Sequence, residues 1–325
     1  MYLYMKKIFY IIQIFILFLF IILFILKKKE KFVLLENDKR VDFYLGKNLL
    51  KGNFKINDKN LVKIWDLKKN IPKSYYKPLK KLLRLTGNIE NKFYFNKLDV
   101  EEYQCPLYLS KNRSSNNKDS VLLKSLNFNR HWQNYYKKQP DIDFDDKINK
   151  IWWRGTTTGT EDRTPNRFNL VQKWFNVNDN IDVGFYSIVQ GKDQYQKYIK
   201  KSFSIKDILK IKYILSVEGN DKDSGLNWKL NSNSLVIMPK PRITTWLMET
   251  TLIPNYHYVL VKDDFSDLEK KLKWCNKHQD RCKEIIKNAN TFMNQFSDIG
   301  KENNLELNVI KKYFDILNKN QINLN

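Results

Sequence analysis

Short apolar runs alternate with polar stretches along the second half of the chain. The runs YILSV (213–217), SLVIM (234–238) and HYVLV (257–261) are typical of buried strands, and the segments between them have suitable lengths for helices. The runs KIWW (150–153) and IDVGF (181–185) have the same character. This alternation predicts an α/β lobe with a doubly wound sheet.

Two amphipathic segments follow the last apolar run. Leu268, Leu272 and Cys275 recur at helical spacing, and Ser266 and Glu269 have the spacing of a capping box. A second stripe predicts a further helix and consists of Cys282, Ile285, Ala289, Phe292 and Phe296. We interpret both stripes as helix faces that pack on the core.

The first half of the chain has a weaker pattern. Three short apolar runs, Phe93–Phe95, Pro106–Ser110 and Val121–Leu123, alternate with polar stretches. A domain boundary is expected between residues 140 and 185, where the acidic segment PDIDFDD is followed by strand-like runs.

Near the N-terminus, residues 8–26 form an uninterrupted apolar stretch in which only Gln13 is polar. As a helix, such a stretch spans a bilayer core of about 30 Å. It exceeds the apolar part of a signal peptide, and no small-residue cleavage site follows, which favours an uncleaved anchor. Because more lysines follow the stretch than precede it, the positive-inside rule places the protein body in the cytoplasm, with a secretory lumen as the alternative.

Composition narrows the range of partners. The formal net charge of +23 comes mostly from lysines spread along the chain and attracts phosphate groups, acidic glycans and acidic membrane surfaces. The sequence has no recognisable nucleic-acid module, so nucleic acid is not the expected partner. The cysteines, Cys105, Cys275 and Cys282, lack zinc-site spacing, and the last two fall on apolar helix faces. We therefore expect buried thiols there and no structural metal.

Two polar loops follow predicted strands, at the position where open α/β sheets bind ligands. The first is Arg154–Gly159, with Arg163 and Arg167 after it, and it combines flexible backbone, hydroxyl groups and guanidinium groups that suit a diphosphate. The second is Glu218–Gly225, which precedes a predicted helix. A surface arginine in the first loop and a simple polar turn in the second are the alternatives.

Several segments resemble family 90 glycosyltransferases. They are WWRG, KYILSVEGND, SGLNWKLNSNSLVIMPKP and TWLMETTLIPNYHYVLVKDDFSDLEKKLKW, which occur in this order. The resemblance covers roughly residues 149–296 and is greatest to the bacterial lipopolysaccharide-A-protein type. The family also includes capsule-associated fungal proteins and animal protein O-glucosyltransferases. Upstream, PLYLSKNR and SVLLK match only loosely.

The resemblance implies a GT-B architecture, in which two Rossmann-like lobes enclose a cleft and the C-terminal lobe binds the donor. We accordingly divide the chain into a membrane anchor with its basic flank (residues 1–31), an acceptor lobe (residues 32–180) and a donor lobe with terminal helices (residues 181–325). A UDP-sugar is the implied co-substrate, and no metal or other cofactor is expected. The residues expected around the donor are Arg154, Gly155, Thr156, Arg163, Gly219, Ser224, Gly225, Lys229 and Glu249.

Inverting sugar transfer needs a carboxylate that removes the proton from the acceptor hydroxyl. Loose similarity to the animal enzymes indicates Asp119 as this base, with Glu102 and Asp143 as alternatives. The triplets Asp141–Asp143 and Asp221–Asp223 have the DxD form of a metal motif. Because acidic pairs are common in polar loops, we interpret both triplets as solvated carboxylates.

The sequence therefore predicts a membrane-anchored glycosyltransferase. It would move a sugar of the glucose, xylose or galactose class from a UDP-sugar to a hydroxyl of a glycan or lipopolysaccharide-like acceptor. A protein O-glucosyltransferase or xylosyltransferase is the alternative among enzymes. Outside that class, a noncatalytic membrane-tethered protein that binds glycans or anions would share the fold and release no UDP.

Overall fold

Parallel strand pairs form two sheets in the computed structural model, which describes residues 36–52, 54–55, 57–96, 105–115 and 120–322. Along the chain the strands are β1 (Tyr94–Phe95), β2 (Tyr108–Ser110), β3 (Arg113–Ser114), β4 (Val121–Leu122), β5 (Ile148–Thr156), β6 (Ile181–Ser187), β7 (Ile211–Leu215), β8 (Leu235–Met238), β9 (Ile243–Thr244) and β10 (Val259–Leu260). Each apolar run identified in the sequence overlaps one of them. The predicted α/β class is confirmed.

The larger sheet has the order β10-β8-β7-β5-β6, and all its neighbouring strands are parallel. The chain enters at β5, adds β6 on one side, and then adds β7, β8 and β10 on the other. The strand order thus reverses between β5 and β7. In open α/β sheets, ligands bind beyond the carboxyl ends of the strands at such a reversal. The loops after β5 and β7 are the two that the sequence indicates.

The smaller sheet has the order β1-β2-β4, and β3 pairs antiparallel with β9. Because β5 and β6 pair with each other, the lobe boundary predicted after residue 180 lies between two neighbouring strands of the larger sheet. Within the described residues, no helix has the length and apolar character needed to cross a membrane. The predicted span, residues 8–26, lies outside the described residues.

Strand β5 is buried on both faces of its sheet. Ile151 and Trp153 belong to the main core, whereas Trp152 packs with Ile214 in a separate cluster on the other face. Gly155 follows on the same face as Trp153, and a Cβ atom there would approach the indole ring to 2.4 Å. This contact explains a glycine at that position, independently of any ligand.

Helices Arg167–Trp174, Leu268–Lys277 and Gln279–Asn294 supply buried side chains to the main core. Cys275 and Cys282 are among them, and both are free and buried, as predicted. The other α-helices of the described residues are Asn37–Leu45, Lys47–Leu50, Lys73–Leu85, Gln133–Tyr136, Ile205–Ile208, Leu226–Leu230 and Ile299–Ile322. A π-helical turn lies at Phe128–Trp132, and short 3₁₀ helices lie at Asp58–Asn60, Ile64–Leu67, Ser125–Asn127, Phe144–Asp146, Asp193–Tyr198 and Glu249–Thr251.

The predicted capping box of Ser266 and Glu269 is wrong. The helix begins at Leu268 with Asp267 in the N-cap position, and no side chain caps its backbone. The Ser266 N–H instead donates to Asp264 Oδ1 at 3.0 Å. The neighbouring aspartates offer competing acceptors, which a spacing rule does not take into account.

A buried charged cluster joins the helices Asn37–Leu45 and Ile299–Ile322. Arg40 donates to both carboxylate oxygens of Glu302, at 2.7 and 2.9 Å, and the indole N–H of Trp246 donates to the same carboxylate at 2.6 Å. Arg40 and Glu302 are only 3% and 1% exposed. Each charge therefore depends on the other for compensation.

Glu302→Ala is expected to lower the free energy of unfolding by about 3–5 kcal/mol, because it leaves the buried Arg40 guanidinium unpaired. Denaturant unfolding of the two proteins measures the difference. The matched control is Glu269→Ala, since that carboxylate is 48% exposed and pairs with Lys273 on a helix surface. The control should change the free energy by no more than about 0.5 kcal/mol. Equal effects of the two substitutions would contradict the role assigned to the buried pair.

Candidate active site

The loops that follow β5 and β7 touch each other where the strand order reverses. The Gly159 N–H donates to Asn220 Oδ1 at 2.7 Å. Gly219 lies so close to the first loop that a Cβ atom would be 2.5 Å from Thr158 Oγ1 and 2.9 Å from Arg167 Cζ. We call the region between the loops, Thr156–Gly159 and Glu218–Gly225, the switch crevice.

Arg167 holds the two sides of the switch crevice together. Its Nη1 donates to Thr158 Oγ1 at 2.7 Å and to the Thr156 carbonyl at 3.2 Å, on the first loop. Its Nε and Nη2 donate to the carbonyl of Val217, directly before the second loop, at 3.3 and 3.2 Å. One of the five guanidinium N–H groups has no acceptor among the described residues. The crevice therefore contains a positioned positive charge.

The side chain of Arg154 lies elsewhere, on the sheet beside β6. Its Nη2 contacts both Asp182 carboxylate oxygens at 2.9 Å, and Nη1 donates to the carbonyls of Trp153 and Asp182 at 2.8 and 3.0 Å. Nε donates to the Lys201 carbonyl at 3.2 Å. These acceptors can occupy all five N–H groups, so this arrangement leaves none for a diphosphate. The sequence could not specify the face of the strand from which Arg154 projects.

Of the residues predicted after β7, Gly225 in the second loop and Lys229 in the helix Leu226–Leu230 come together at Asp223. Lys229 pairs with the Asp223 carboxylate and donates to the Leu215 carbonyl at 3.1 Å. The Gly225 N–H donates to Asp223 Oδ1 at 2.9 Å, and the Ser224 hydroxyl makes no hydrogen bond within the described residues. Burial alone would raise the pKa of Asp223, but the Lys229 ammonium outweighs it and holds that pKa below its ordinary value.

Glu249 lies next to this loop, but its carboxylate is already satisfied. It accepts from the Thr245 N–H at 2.6 Å and from the Thr245 hydroxyl at 2.8 Å, and it lies 3.1 Å from Lys222 Nζ. Both charged side chains are 1% exposed. Because Lys222 belongs to the second loop, its contact with Glu249 stabilises that loop. Arg163, another predicted contact, lies in the first loop region, where its carbonyl accepts from Asn166 at 2.8 Å.

Asp221 connects the second loop to the smaller sheet. Its Oδ1 accepts from Asn112 Nδ2 at 2.8 Å, while Oδ2 accepts from Asn127 Nδ2 at 3.4 Å and lies 3.5 Å from Lys111 Nζ. The residue is 9% exposed. Burial by itself would raise its pKa, but the Lys111 charge and these donors hold it below the ordinary value. The interpretation of Asp221 and Asp223 as solvated carboxylates is therefore wrong.

His131 completes this connection. Its Nε2 lies 4.0 Å from Asp221 Oδ2, and the residue is 3% exposed. Burial, assisted by the positive charge of Lys222, lowers the pKa of His131 to about 3. The imidazole is therefore neutral at pH 7, and its contact with Asp221 is not an ion pair. The sequence pattern did not indicate His131, Lys111 or Asn127, because these residues lie in segments without clear periodicity.

The three candidate bases, Asp119, Glu102 and Asp143, lie in different parts of the chain. Asp119 and Glu102 lie outside the described residues. Asp143 precedes β5 and so lies at the amino end of the larger sheet, whereas the switch crevice lies at the carboxyl end. A strand of nine residues separates the two ends, which is roughly 25–30 Å. That distance excludes Asp143 as a base for chemistry in the crevice.

The acidic triplets are not arranged as metal ligands in the described part of the chain. Asp221 faces Lys111 and the amides of Asn112 and Asn127, whereas Asp223 faces Lys229. Within these residues, no three His, Cys, Asp or Glu side chains are grouped to hold a metal ion.

Cavities of very different size adjoin the crevice. One of about 20 Å³ lies at the strand ends between Glu218, Asp223 and Glu249, and it admits at most about one water molecule. A cavity of about 650 Å³ extends from Glu249 towards the helix Asn37–Leu45. A third, of about 590 Å³, has Asn127 in its wall. Ligand sites typically measure about 300–1,000 Å³, so the larger two have the size of binding sites.

Relatives that share sequence with this chain include a bacterial and a viral protein. The O-glucosyltransferase LpsA of Dichelobacter nodosus is 36% identical over 248 residues, which are 76% of this chain and 74% of that protein. Uncharacterized protein 179R of Invertebrate iridescent virus 6 is 34% identical over 89 residues, which are 26% of this chain and 8% of that protein.

Among solved structures, those of Alr3699/HepE and TarM show a weak likeness. Alr3699/HepE of Anabaena, in complex with UDP-glucose, has a TM-score of 0.38 and 11% identity over 53% of this chain and 56% of that one. TarM has a TM-score of 0.40 and 11% identity over 78% of this chain and 57% of that one. The match thus spans little more than half the length of either protein.

The sequence pattern described as Glycosyl transferase family 90 matches residues 125–321, which include β5 to β10 and the second loop of the switch crevice. The match covers more than half of the chain, and the LpsA similarity extends over three quarters of it. This protein therefore belongs to glycosyl transferase family 90.

Proposed function

We propose that this glycosyltransferase moves a sugar from a UDP-sugar to a hydroxyl group of a glycan or lipopolysaccharide-like acceptor, by an inverting reaction that needs no metal. Family membership supports glycosyl transfer. The similar protein LpsA is an O-glucosyltransferase, which makes UDP-glucose the first donor to test, ahead of xylose and galactose donors. A GT-B arrangement, with the cleft between the two sheets, is part of this proposal.

The observation that carries the proposal is the switch crevice at the reversal of strand order. It places the Arg167 guanidinium against the Thr158 hydroxyl and the Gly219 backbone, and the Lys229 ammonium pairs with Asp223 of the second loop. Cationic groups and N–H or O–H donors stabilise a leaving diphosphate as its charge develops. Carboxyl ends of parallel strands at such a reversal are the usual position for a nucleotide.

The cavity of about 20 Å³ beside the second loop is too small for a nucleotide, so a nucleotide could bind there only if this loop moved. Lys229 is the residue best placed to change partner. Its ammonium pairs with Asp223 and would turn to the diphosphate when the nucleotide enters. Arg167, which bonds both loops, would act as a positioning residue.

Asp119 remains the proposed catalytic base. The residues that flank its segment are tied to the second loop of the crevice: the Ser115 N–H donates to the Arg242 carbonyl at 2.6 Å, and the Arg242 N–H donates to Glu218 at 2.9 Å. On the other flank, Arg113 donates to the Ser120 carbonyl at 3.0 Å. These links support a base supplied from between β3 and β4.

The full chain is expected to release UDP from one UDP-sugar, and the release should survive EDTA because lysine and arginine, not a metal, neutralise the diphosphate. A coupled UDP assay with glucose, xylose and galactose donors measures it, and titration calorimetry with UDP runs alongside. Loss of activity in EDTA with recovery on adding Mg²⁺ or Mn²⁺ would rule out the metal-independent mechanism. UDP binding without release would favour the noncatalytic alternative, and no UDP binding would rule out the proposed function.

Arg167→Ala is expected to weaken UDP binding at least tenfold, about 1.4 kcal/mol, because it removes the charge that joins the two loops. The matched control is the double variant Arg154→Met with Asp182→Asn, which removes both charges of the ion pair beside β6. Its UDP affinity should stay within about threefold of the parent. Calorimetry of both variants decides the question. If the control loses affinity as strongly as Arg167→Ala, then Arg154 is the donor-binding arginine.

Gly219→Ala is expected to weaken UDP binding while the protein stays folded. The added methyl group would lie within 3 Å of Thr158 Oγ1 and Arg167 Cζ, so it must push the guanidinium away from the first loop. Gly300→Ala, in the helix Ile299–Ile322, is the control and should leave UDP affinity unchanged. Circular dichroism reports folding in each case. Unchanged affinity in Gly219→Ala would argue against nucleotide binding in the switch crevice.

A further inference from the structure

Positive charge is concentrated in the segment from residue 68 to residue 85. These 18 residues include six lysines, one arginine and no acidic residue, whereas the whole chain has 58 lysines and arginines in 325 residues. The density of cations in the segment is therefore about twice the average of the chain.

The fold places this charge on the outside. The helix Lys73–Leu85 buries one stripe of its surface in the core, consisting of Tyr76, Leu79, Leu82 and Leu83. The cations on its other sides are exposed, as are the lysines that precede the helix. Together they form a surface that we call the basic face: Lys68, Lys69, Lys73, Lys77, Lys81 and Arg84.

The cations of the basic face are exposed, so mobile ions from solution balance their charge. A surface that carries many fixed anions can replace those ions, and polybasic segments bind anionic membranes in this way. Each lysine or arginine near such a membrane raises the affinity roughly fivefold. Several exposed cations on one face therefore bind together where a single one would not.

Two large apolar side chains are exposed beside these cations. Trp65 is 42% exposed, and Lys80 Nζ lies 4.1 Å from the centre of its ring, which places Trp65 next to the helix. Leu85 is 60% exposed and lies about one turn after Lys81. Tryptophan is enriched at the interface between a bilayer and water. Apolar side chains exposed among lysines favour a lipid surface, because a soluble polyanion would leave them in water.

An independent reason to expect lipid is the apolar stretch at residues 8–26, which lies outside the described residues. The sequence predicts that this stretch spans a bilayer and that the protein body lies on the cytoplasmic side. The membrane leaflet on that side carries anionic lipids. Attachment to a bilayer would raise the effective concentration of lipid around the protein, so that even a weak surface contact would be occupied.

We propose that the basic face is a membrane-binding surface and that its partner is an anionic phospholipid bilayer. The lysine ammonium groups and the Arg84 guanidinium contact the lipid phosphate groups, while Trp65 and Leu85 lie against the upper part of the acyl chains. This inference goes beyond the proposed function and does not depend on it, since none of these residues belongs to the switch crevice.

The test compares the full chain with nanodiscs of phosphatidylcholine alone and with nanodiscs that also contain phosphatidylglycerol. Mass spectrometry follows the acetylation of each lysine. The lysines of the basic face should react at least about fivefold more slowly with the anionic discs, and high salt should remove this protection. Lys270 and Lys273, exposed on the helix Leu268–Lys277, are internal controls and should react equally with both discs. Equal reactivity of the basic face with both discs would overturn the proposal.

Charge reversal locates the surface. Lys77→Glu with Lys81→Glu should reduce the protection of the other three lysines of the basic face at least about fivefold. The matched control is Lys270→Glu with Lys273→Glu, which changes the net charge by the same amount and should leave that protection intact. Circular dichroism checks that each variant is folded. Equal losses in the two double variants would overturn the assignment to this face, because net charge alone would then explain the attraction.

Leu85→Ser separates a lipid partner from a soluble polyanion. It should weaken the protection by anionic discs, because it removes an apolar contact, and the RNA poly(U) serves as the polyanion for comparison. Full protection by the discs in Leu85→Ser would overturn the apolar part of the proposal. If poly(U) protects the lysines of the parent protein as strongly as the anionic discs do, nucleic acid replaces lipid as the partner and the proposal is overturned.

Discussion

A buried carboxylate is stable only when neighbouring charges and donors replace the water it has lost. For Asp221 these groups come from the smaller sheet and the turn that follows it: Lys111, Asn112 and Asn127. The second loop of the switch crevice is consequently held against the carboxyl end of the smaller sheet. The Asp221 contacts thus help to position this loop beside Arg167. The proposed donor site therefore depends on contacts between residues more than a hundred positions apart.

The sequence predicted the strands well, because a buried parallel strand is a continuous apolar run with polar segments on either side. It also indicated the loops after β5 and β7, since their turn residues directly follow such runs. The directions in which side chains project could not be predicted from the sequence. Arg154 and Arg167 look equivalent in the sequence, yet one pairs with Asp182 beside β6 and the other joins the crevice loops. The difference depends on strand pairing, which local spacing does not contain.

Contacts between residues far apart in the chain also could not be predicted from the sequence. Asp221 reads as a turn residue in a polar segment, and only folding brings Asn112 and Lys111 to its carboxylate. The predicted capping box of Ser266 and Glu269 was wrong for a related reason, since several nearby acceptors compete for the same N–H groups. The location of the crevice could therefore be predicted from local patterns, whereas the partners of its charged groups could not.

The helix Ile299–Ile322 has a consequence for the order of events during synthesis. Glu302 compensates the charge of Arg40, and Asn303 bonds Lys124, so two buried cations of the first half receive partners from a segment made much later. While the ribosome still holds that segment, these cations have no counterpart and water must remain around them. The region that contains the smaller sheet therefore closes only after the helix has emerged. Its folding is completed after translation has passed the whole of the larger sheet.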